Sequence, residues 1–387
     1  MVKGKSFFCK NQGKRAFFFL LAVFILAANG CSPNQKKQEY ITIGALLPLT
    51  GDDSDEGIRA LNGLQLAQEE INKAGGVLGK KLDIITLNDK GDDEYIIQQY
   101  NALKEKGAVA IIGSSYSGVT LTLAKEAEKD GMPLISPTAS NPDVTKGRKN
   151  VFRAIFIDDY QTEIMAYFAR NSLNAQTALV FCNESSGSFK QMSEIFAESF
   201  KKFGGTIRAV EPYSDGDSFM NILRKYIANP PDIIFCPEDY VPAVKLVNSA
   251  FEAGLNNTYI LGTDAWDGLL AYIYQPEAMK NVYYSAPFSF DDPDKNVAEF
   301  VRNYFGCFSQ APLSGSATAY TCVYILAEAI KKAGGTDKDA IVSAMKTNEL
   351  ELITGRIKFD ENNNPRTNVY IIQIEGGVYA TYEKLSL

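Results

Sequence analysis

The sequence predicts an α/β protein made of two lobes, each built on a parallel sheet. Short apolar runs rich in β-branched residues alternate with amphipathic segments at helical spacing, a pattern typical of a parallel sheet with helices on both faces. The alternation runs from residue 41 to residue 136 and restarts at residue 177 without a sequence repeat. A chain of 387 residues, 45% hydrophobic and 22% charged, is long enough for two such lobes.

The first 30 residues have the form of an export signal. A basic start precedes the apolar run 16–28, which is too short for a stable membrane span. Small residues then precede Cys31 and a polar segment, 32–39, as in a lipoprotein cleavage box, although Ala28 stands where leucine is usual. We therefore expect a signal peptide over 1–30 and a lipidated tether over 31–39, with plain secretion as the alternative. In either case the mature protein is expected outside the cytoplasm, in the periplasm or on the cell surface.

The first half contains four predicted strands separated by helices. The strands are expected at 41–47, 82–87, 108–112 and 133–136, and the helices at 60–71, at 94–106 and after residue 118. Gly75 and Gly76 end the first helix, because glycine adopts the left-handed conformation that closes a helix at little cost.

Two polar loops in this half follow neighbouring strands. The loop 114–118 leads into a helix, where exposed N–H groups, the helix dipole and the Ser117 hydroxyl make a seat for a carboxylate or another small anion. The loop 137–142 follows the next strand and should lie beside it, because ligands of open α/β sheets bind beyond the carboxyl ends of the strands. The alternative is that both loops are ordinary connections.

The second half repeats this rhythm and ends in a different tail. Its strands are expected at 177–182, 206–213, 232–236 and 259–262, and its helices at 189–203, 219–228 and 241–253. In the tail a long helix is expected at 317–333, with strands at 354–360 and 370–374 on either side of a turn.

Composition excludes several kinds of chemistry. The chain has no histidine, which removes the commonest general base and the usual zinc ligands. The acidic run that contains Asp52, Asp53 and Asp55 lacks the ligand spacing of a calcium loop. The net charge of −7 disfavours nucleic-acid binding. We therefore expect no enzyme activity, no metal, no cofactor and no nucleic-acid partner.

The cysteines do not form an obvious disulfide framework. Cys182 and Cys236 each end a predicted strand and could meet on neighbouring strands, whereas Cys307 and Cys322 have no clear partner. Buried free thiols are the alternative for all four.

Landmarks along almost the whole mature chain follow the order of a known family. They are Ile43-Gly44, Pro48-Leu49-Thr50-Gly51, Ile71-Asn72, the segment 75–81, Ile111-Ile112-Gly113, Ser136-Pro137, Asn141-Pro142, Thr354-Gly355 and Phe359-Asp360. The chain resembles the type I periplasmic solute-binding proteins of ABC importers, in the leucine/isoleucine/valine-binding branch. The resemblance implies two Rossmann-like lobes joined by a three-strand hinge that close on an amino acid. It places lobe 1 at 40–154 and 287–366, and lobe 2 at 155–286 and 367–387.

The resemblance also implies ligand-binding residues. By position, the first loop offers the ligand Ser117, together with Ser115, and the second loop offers the Thr138 backbone carbonyl and the Ser140 hydroxyl. From the other lobe, Asp264 holds the ammonium group. The physics agrees, because a zwitterion that leaves water needs donors for its carboxylate and a carboxylate for its ammonium.

The expected side-chain pocket departs from the branched-chain pattern. Glu56 stands where an aromatic residue is frequent, and Ser186 stands where a tyrosine is common. Asp239 and Tyr240 occupy the matching segment after Cys236. An aliphatic ligand is therefore in doubt, and a polar or cationic side chain would suit Glu56 and Asp239 if they face the cleft.

These residues favour a monomeric, lipid-anchored protein that captures a small amino acid and passes it to a membrane permease. A sensor module of the same fold, read by a chemoreceptor or kinase, is the alternative. Trp266, the only tryptophan, lies two residues after Asp264 and is expected near the mouth of the cleft, where lobe closure would change its contact with water.

Overall fold

The structure is a computed structural model that describes residues 40–387 apart from 52–53, 273–274 and 376. The predicted leader, Cys31 and the pair Asp52 and Asp53 lie outside the described residues. Two large sheets organise the described chain, which confirms the predicted α/β fold with two lobes.

The first sheet has five parallel strands in the order β2-β1-β3-β4-β5. They are β1 (Tyr40–Leu47), β2 (Lys81–Asn88), β3 (Ile111–Gly113), β4 (Leu134–Ser136) and β5 (Val151–Arg153). Side chains alternate across this sheet, so that Ile43 joins the apolar core on one face and Leu46 the core on the other. All five carboxyl ends therefore point to one edge, where the polar loops begin.

The second sheet has seven strands in the order β14-β13-β10-β9-β8-β6-β7. They are β6 (Thr177–Asn183), β7 (Thr206–Tyr213), β8 (Ile233–Phe235), β9 (Tyr259–Gly262), β10 (Val282–Ala286), β13 (Val369–Glu375) and β14 (Val378–Leu385). The strands from β7 to β10 pair in parallel, whereas β13 and β14 are antiparallel additions at one side. A separate antiparallel pair consists of β11 (Glu349–Leu352) and β12 (Gly355–Lys358).

Ten α-helices occur in the described part of the chain. They are α1 (Ser54–Lys73), α2 (Asp93–Glu105), α3 (Ser117–Lys129), α4 (Asp158–Tyr167), α5 (Gly187–Lys202), α6 (Phe219–Leu223), α7 (Tyr240–Glu252), α8 (Lys295–Phe308), α9 (Ser314–Ala333) and α10 (Lys338–Thr347).

Helices α1 and α9 pack closely on the first sheet. A Cβ on Gly63 would lie 2.1 Å from the Ser316 carbonyl oxygen, so only glycine permits this approach. Through α9, a segment late in the chain completes the lobe that begins with β1.

The chain passes between the sheets three times, after β5, after β10 and before β13. The limits of the lobes at 154/155, 286/287 and 366/367 stay a prediction. The four described cysteines, 182, 236, 307 and 322, are free thiols in this structure.

Candidate ligand-binding site

The two predicted anion-binding loops lie side by side at the carboxyl edge of the first sheet. Strands β3 and β4 are neighbours, with Ile111 paired to Leu134, and each runs into one of the loops. Helix α3 begins at Ser117, and its N-cap residue, Tyr116, provides no side-chain bond to the first turn. The first N–H groups of α3 therefore have no partner within the helix and point beyond its N-terminus.

Hydrogen bonds join these loops into one rigid surface. The Asn141 N–H donates to Ser117 Oγ at 3.2 Å, and Thr138 Oγ1 donates to the Ser115 carbonyl at 2.8 Å. Ser115 Oγ is buried and has no hydrogen-bond partner among the described residues. The structure thus brings together Ser115, Ser117 and Thr138, as the sequence suggested.

A fully buried arginine, which sequence reasoning did not single out, supports the second loop. Arg153, at the end of β5, donates to the carbonyls of Ala139 and Asn141 at 2.7 Å each and to Thr145 Oγ1 at 3.1 Å. Burial lowers the pKa of Arg153 to about 10, against the opposing effect of Asp158. The sequence feature that could have identified Arg153 is a charged residue at the end of an apolar strand.

Asp264 follows β9 in the second lobe and is held by a glutamine. Gln161 Nε2 donates to Asp264 Oδ1 at 2.6 Å, and Gln161 Oε1 accepts from the Asp264 N–H at 3.1 Å. The same Nε2 lies 3.1 Å from Asp158 Oδ1, and Ser285 Oγ donates to Oε1 at 2.7 Å. Gln161, more than 100 residues before Asp264 in the sequence, was not predicted.

A polar network links the two lobes through these residues. Asp158 accepts a hydrogen bond from the Ser140 side chain, and its N–H donates to the Ser140 carbonyl at 3.0 Å. Ser140 of the first lobe is thereby connected to Asp264 of the second through Asp158 and Gln161.

The network is acidic. Burial and then the nearby Asp158 raise the pKa of Asp264 to about 7. Burial also raises the pKa of Asp158, against the bond from Ser140 and the charge of Arg153. A cation beside Asp264 would lower the pKa of this carboxyl and so favour its ionised form.

Glu56 and Arg59 form an ion pair on the first turns of α1. Arg59 Nε and Nη2 donate to Glu56 Oε2 at 3.2 and 3.0 Å, and each side chain is 19% exposed. Burial raises the pKa of Glu56, and Arg59 opposes the rise. Arg59, absent from the predicted set, crosses to the second lobe, because its Nη1 lies 3.2 Å from where a Cβ on Gly268 would be.

The other predicted pocket residues lie at the N-termini of two helices in the second lobe. Ser186 caps α5 by accepting from the Phe189 N–H at 3.4 Å. Asp239 is the exposed N-cap residue of α7, and the half-buried Tyr240 ring lies 5.2 Å from that of Tyr272. Their roles in ligand binding stay a prediction.

The lobes touch on both sides of this site. Asn141 Nδ2 donates to Ser188 Oγ at 2.9 Å across the cleft, and Tyr272 OH lies 3.5 Å from Asp55 Oδ2 on another side. The structure therefore has a closed cleft.

The expectation for Trp266 is wrong. Its side chain is 0% exposed and belongs to the apolar core of the second lobe. The indole packs on the backbone of Gly262, where a Cβ would come within 2.0 Å of the ring. The absence of a side chain on Gly262 makes room for the ring inside the lobe, away from the cleft mouth.

The described residues contain no group of three or more Cys, Asp and Glu side chains able to hold a metal ion. Within the same part of the chain, no helix combines the length and apolarity that a membrane crossing requires.

Known proteins match this chain over most of its length. A leucine-, isoleucine-, valine-, threonine- and alanine-binding protein of Pseudomonas aeruginosa is 26% identical, over 92% of this chain and 94% of that protein. The Leu/Ile/Val-binding protein BraC3 of Rhizobium johnstonii is 28% identical, over 84% and 88%. The crystal structure of the branched-chain amino acid transporter substrate-binding protein LivJ of Streptococcus pneumoniae, in complex with isoleucine, superposes with a TM-score of 0.81 and 28% identity. This superposition covers 89% of this chain and 99% of LivJ.

The family model for periplasmic binding proteins matches residues 40–378. Proteins of this family work outside the cytoplasm, as the leader predicts. The fold with its two lobes, the closed cleft between them and this match agree, and the chain belongs to the periplasmic binding protein family.

Proposed function

We propose that this protein captures a small α-amino acid between its lobes and delivers it to the permease of an ABC importer, without chemistry of its own. The observation that carries the proposal is the network from Ser140 through Asp158 and Gln161 to Asp264. It sets donors on one side of a closed cleft and a carboxylate of raised pKa on the other. Relatives named for binding branched-chain amino acids support the ligand class.

Each end of a zwitterion has a matching group in this site. The ligand carboxylate would receive the first N–H groups of α3 and the hydroxyls of Ser117 and Ser115, and so give the buried Ser115 Oγ its missing partner. The ammonium would meet Asp264, which stays ionised beside a positive charge. Selectivity then depends on the cleft, and delivery depends on the lobes opening.

Thermal unfolding with a panel of α-amino acids tests this proposal. A ligand at about one hundred times its dissociation constant adds about 2.7 kcal/mol to the free energy of unfolding, so the true ligand should raise the melting temperature clearly. Calorimetry should then give one site per chain. A folded protein whose melting temperature and heat of mixing respond to no α-amino acid would refute the proposal.

We also propose that the protein is a lipoprotein anchored through Cys31, supported by the basic leader, the apolar run and the small residues before the cysteine. Cys31→Ala should abolish incorporation of labelled fatty acid and leave the protein unprocessed or free of the membrane fraction. Cys307→Ala is the matched control and should be acylated normally. Acylation of the Cys31→Ala protein would contradict the anchor.

A further inference from the structure

The first sheet begins at the end of its lobe where the predicted lipid tether joins the fold. Its strands are parallel, so all of them start at one edge, here called the amino edge, opposite the edge that carries the polar loops. Strand β1 starts there at Tyr40, and only the eight residues 32–39 separate it from Cys31. A chain of this length spans at most about 30 Å, so an anchor at Cys31 would keep the amino edge close to the membrane.

A tight turn at this edge exposes a leucine. Val77 and Lys80 are joined by two backbone hydrogen bonds of 2.8 and 3.0 Å, with Leu78 and Gly79 at the tip of the turn. Both tip residues have positive φ, 52° and 75°, a conformation that asparagine and glycine adopt far more readily than leucine does. Leu78 is also 46% exposed. Neither the shape of the turn nor packing in a core therefore explains a leucine at this position.

Tyr40 lies beside this turn. It is 54% exposed, and its register partner on β2 is Lys81, three residues after Leu78. Paired strands are about 4.8 Å apart, so an aliphatic, an aromatic and a basic residue occupy one small area of the surface. This combination suits the boundary of a lipid bilayer, where apolar atoms enter the headgroup layer, aromatic rings lie at its border and lysines meet lipid phosphates.

The charge of the first lobe changes sign between its two edges. At the amino edge, the segments 73–81 and 104–107, which lead into the two neighbours of β1, hold five lysines and one glutamate. Two of these lysines form ion pairs with acidic residues outside the segments, and the balance stays positive. At the opposite edge, the segment 88–94, which follows β2, holds four acidic residues and one lysine. An anionic surface therefore attracts the amino edge and repels the opposite one.

We propose, on the basis of the anchor proposed above, that the amino edge of the first sheet lies against the anionic lipid surface of the membrane that carries the anchor. Leu78 enters the headgroup layer, and Lys80 and Lys81 contact lipid phosphates. Strand β1, with eight residues, then holds the edge with the candidate site about 26 Å further from the membrane. The anchored protein thus captures its ligand with the cleft clear of the lipid.

A fluorescent probe on the lipidated protein tests this orientation. In a Cys307→Ala background, an environment-sensitive dye on Leu78→Cys should shift its emission to the blue in vesicles of phosphatidylcholine and phosphatidylglycerol in equal parts. Lipids with nitroxide-labelled headgroups should quench most of that emission. The same dye on Val210→Cys, an exposed position on the outer strand β7 of the second sheet, is the control and should keep its emission. Equal quenching at both positions, or none at Leu78→Cys, would overturn the inference and leave the anchor intact.

A charge reversal tests the surface without the anchor. The chain from residue 32, which keeps every described residue, should sediment with the same anionic vesicles but not with phosphatidylcholine alone, and less so as salt rises. Lys80→Glu with Lys81→Glu should lower this partition at least about tenfold. The matched control, Lys201→Glu with Lys202→Glu at the exposed end of α5, should stay within about twofold of the wild type. Unchanged partition with Lys80→Glu and Lys81→Glu would overturn the inference, whether or not Cys31 is acylated.

Leu78→Asn separates contact with the membrane from a role in folding. Asparagine suits the left-handed turn better than leucine does, so the melting temperature should stay the same or rise. Partition onto the anionic vesicles should fall at least about threefold, because the apolar side chain is lost. A lower melting temperature with unchanged partition would assign Leu78 to the fold and overturn its place in the membrane contact. Binding of amino acids should be the same in all these variants, so its loss would concern the proposed function alone.

Discussion

The two halves of the candidate site are built differently. On the first lobe, backbone groups and hydroxyls are fixed by bonds among the loops themselves and by the buried Arg153. On the second lobe, a single glutamine holds two carboxylates, and one of them has a pKa of about 7. The first half keeps one buried hydroxyl, Ser115 Oγ, without a hydrogen-bond partner among the described residues, whereas the second half keeps a buried carboxylate of raised pKa, Asp264. Variants of the two halves should therefore behave differently.

The largest expected difference is between Asp264 and Ser117. Removal of one partner of a desolvated charge pair costs roughly 2 to 5 kcal/mol, so Asp264→Ala should weaken binding at least about thirtyfold. Ser117→Ala removes one neutral hydrogen bond, worth about 0.5 to 1.5 kcal/mol, and should weaken binding at most about tenfold. Calorimetry measures both. Equal losses in the two variants would erase the contrast, and unchanged binding with Asp264→Ala would rule out its role.

The raised pKa of Asp264 predicts that the free energy of unfolding depends on pH. The folded, unliganded protein holds the Asp264 proton up to a pH of about 7, whereas the unfolded chain releases it near 3.8. Between these pH values the folded state therefore binds more protons than the unfolded chain does. The stabilisation that comes from protonated Asp264 is full below about pH 4 and is lost as the pH rises through 7. The loss is on the order of 4 kcal/mol, at 1.36 kcal/mol per pKa unit.

Asp264→Asn tests this dependence because it keeps the shape and removes the titration. Without ligand, the melting temperature of the variant should exceed that of the wild type near pH 8, and the difference should shrink towards pH 4. In the wild type, affinity for the ligand should rise with pH through 7, since the ammonium needs an ionised partner. A constant difference between the two proteins across this range would mean that Asp264 is not the titrating group.

In the first half of the site, a variant of the supporting Arg153 should lower the free energy of unfolding of the protein. Arg153→Met removes charged hydrogen bonds to the Ala139 and Asn141 carbonyls, and bonds to charged groups contribute about 1.5 to 3 kcal/mol each. We expect the free energy of unfolding to fall by about 3 kcal/mol in denaturant titrations. Arg302→Met, at an arginine whose side chain is 70% exposed, is the control and should change it by less than about 0.5 kcal/mol. Wild-type stability in Arg153→Met would show that the loop needs no such support.

The smallest effect is expected where the two halves touch. Asn141→Ala removes the bond to Ser188, which joins the two lobes in this structure, and should weaken ligand binding by about 1 kcal/mol. Ser188→Ala should do the same, and the double variant should lose no more than either single one. Additive losses would mean that the two side chains act independently.

Much of the fold could be predicted because many of its strands contain short runs of apolar and β-branched residues. Strands β7 and β9 have the predicted limits, since turn residues flank both of them. Helix α6 is shorter than the predicted 219–228 and ends at Leu223. Only Phe219 and Leu223 are buried there, so tertiary packing stabilises a single turn, and a short helix persists only where packing holds it.

The candidate site was predictable only where local sequence determines geometry. Ser117 begins a helix after a strand, and that context is visible within ten residues. Gln161 and Arg59 were missed because their partners, Asp264 and Gly268, are distant in sequence and meet them only after folding. For Trp266 the proximity to Asp264 along the chain was misleading, since the ring turns back onto Gly262.

Glu56 and Arg59 occupy one turn of α1, apart from the loops 114–118 and 137–142 and from the network at Asp264. The codons of this ion pair, separated by two others, therefore lie in a different stretch of the gene from those of the loops and of Asp264. After a gene duplication, substitutions at these two codons would leave the loops and the network at Asp264 as they were inherited.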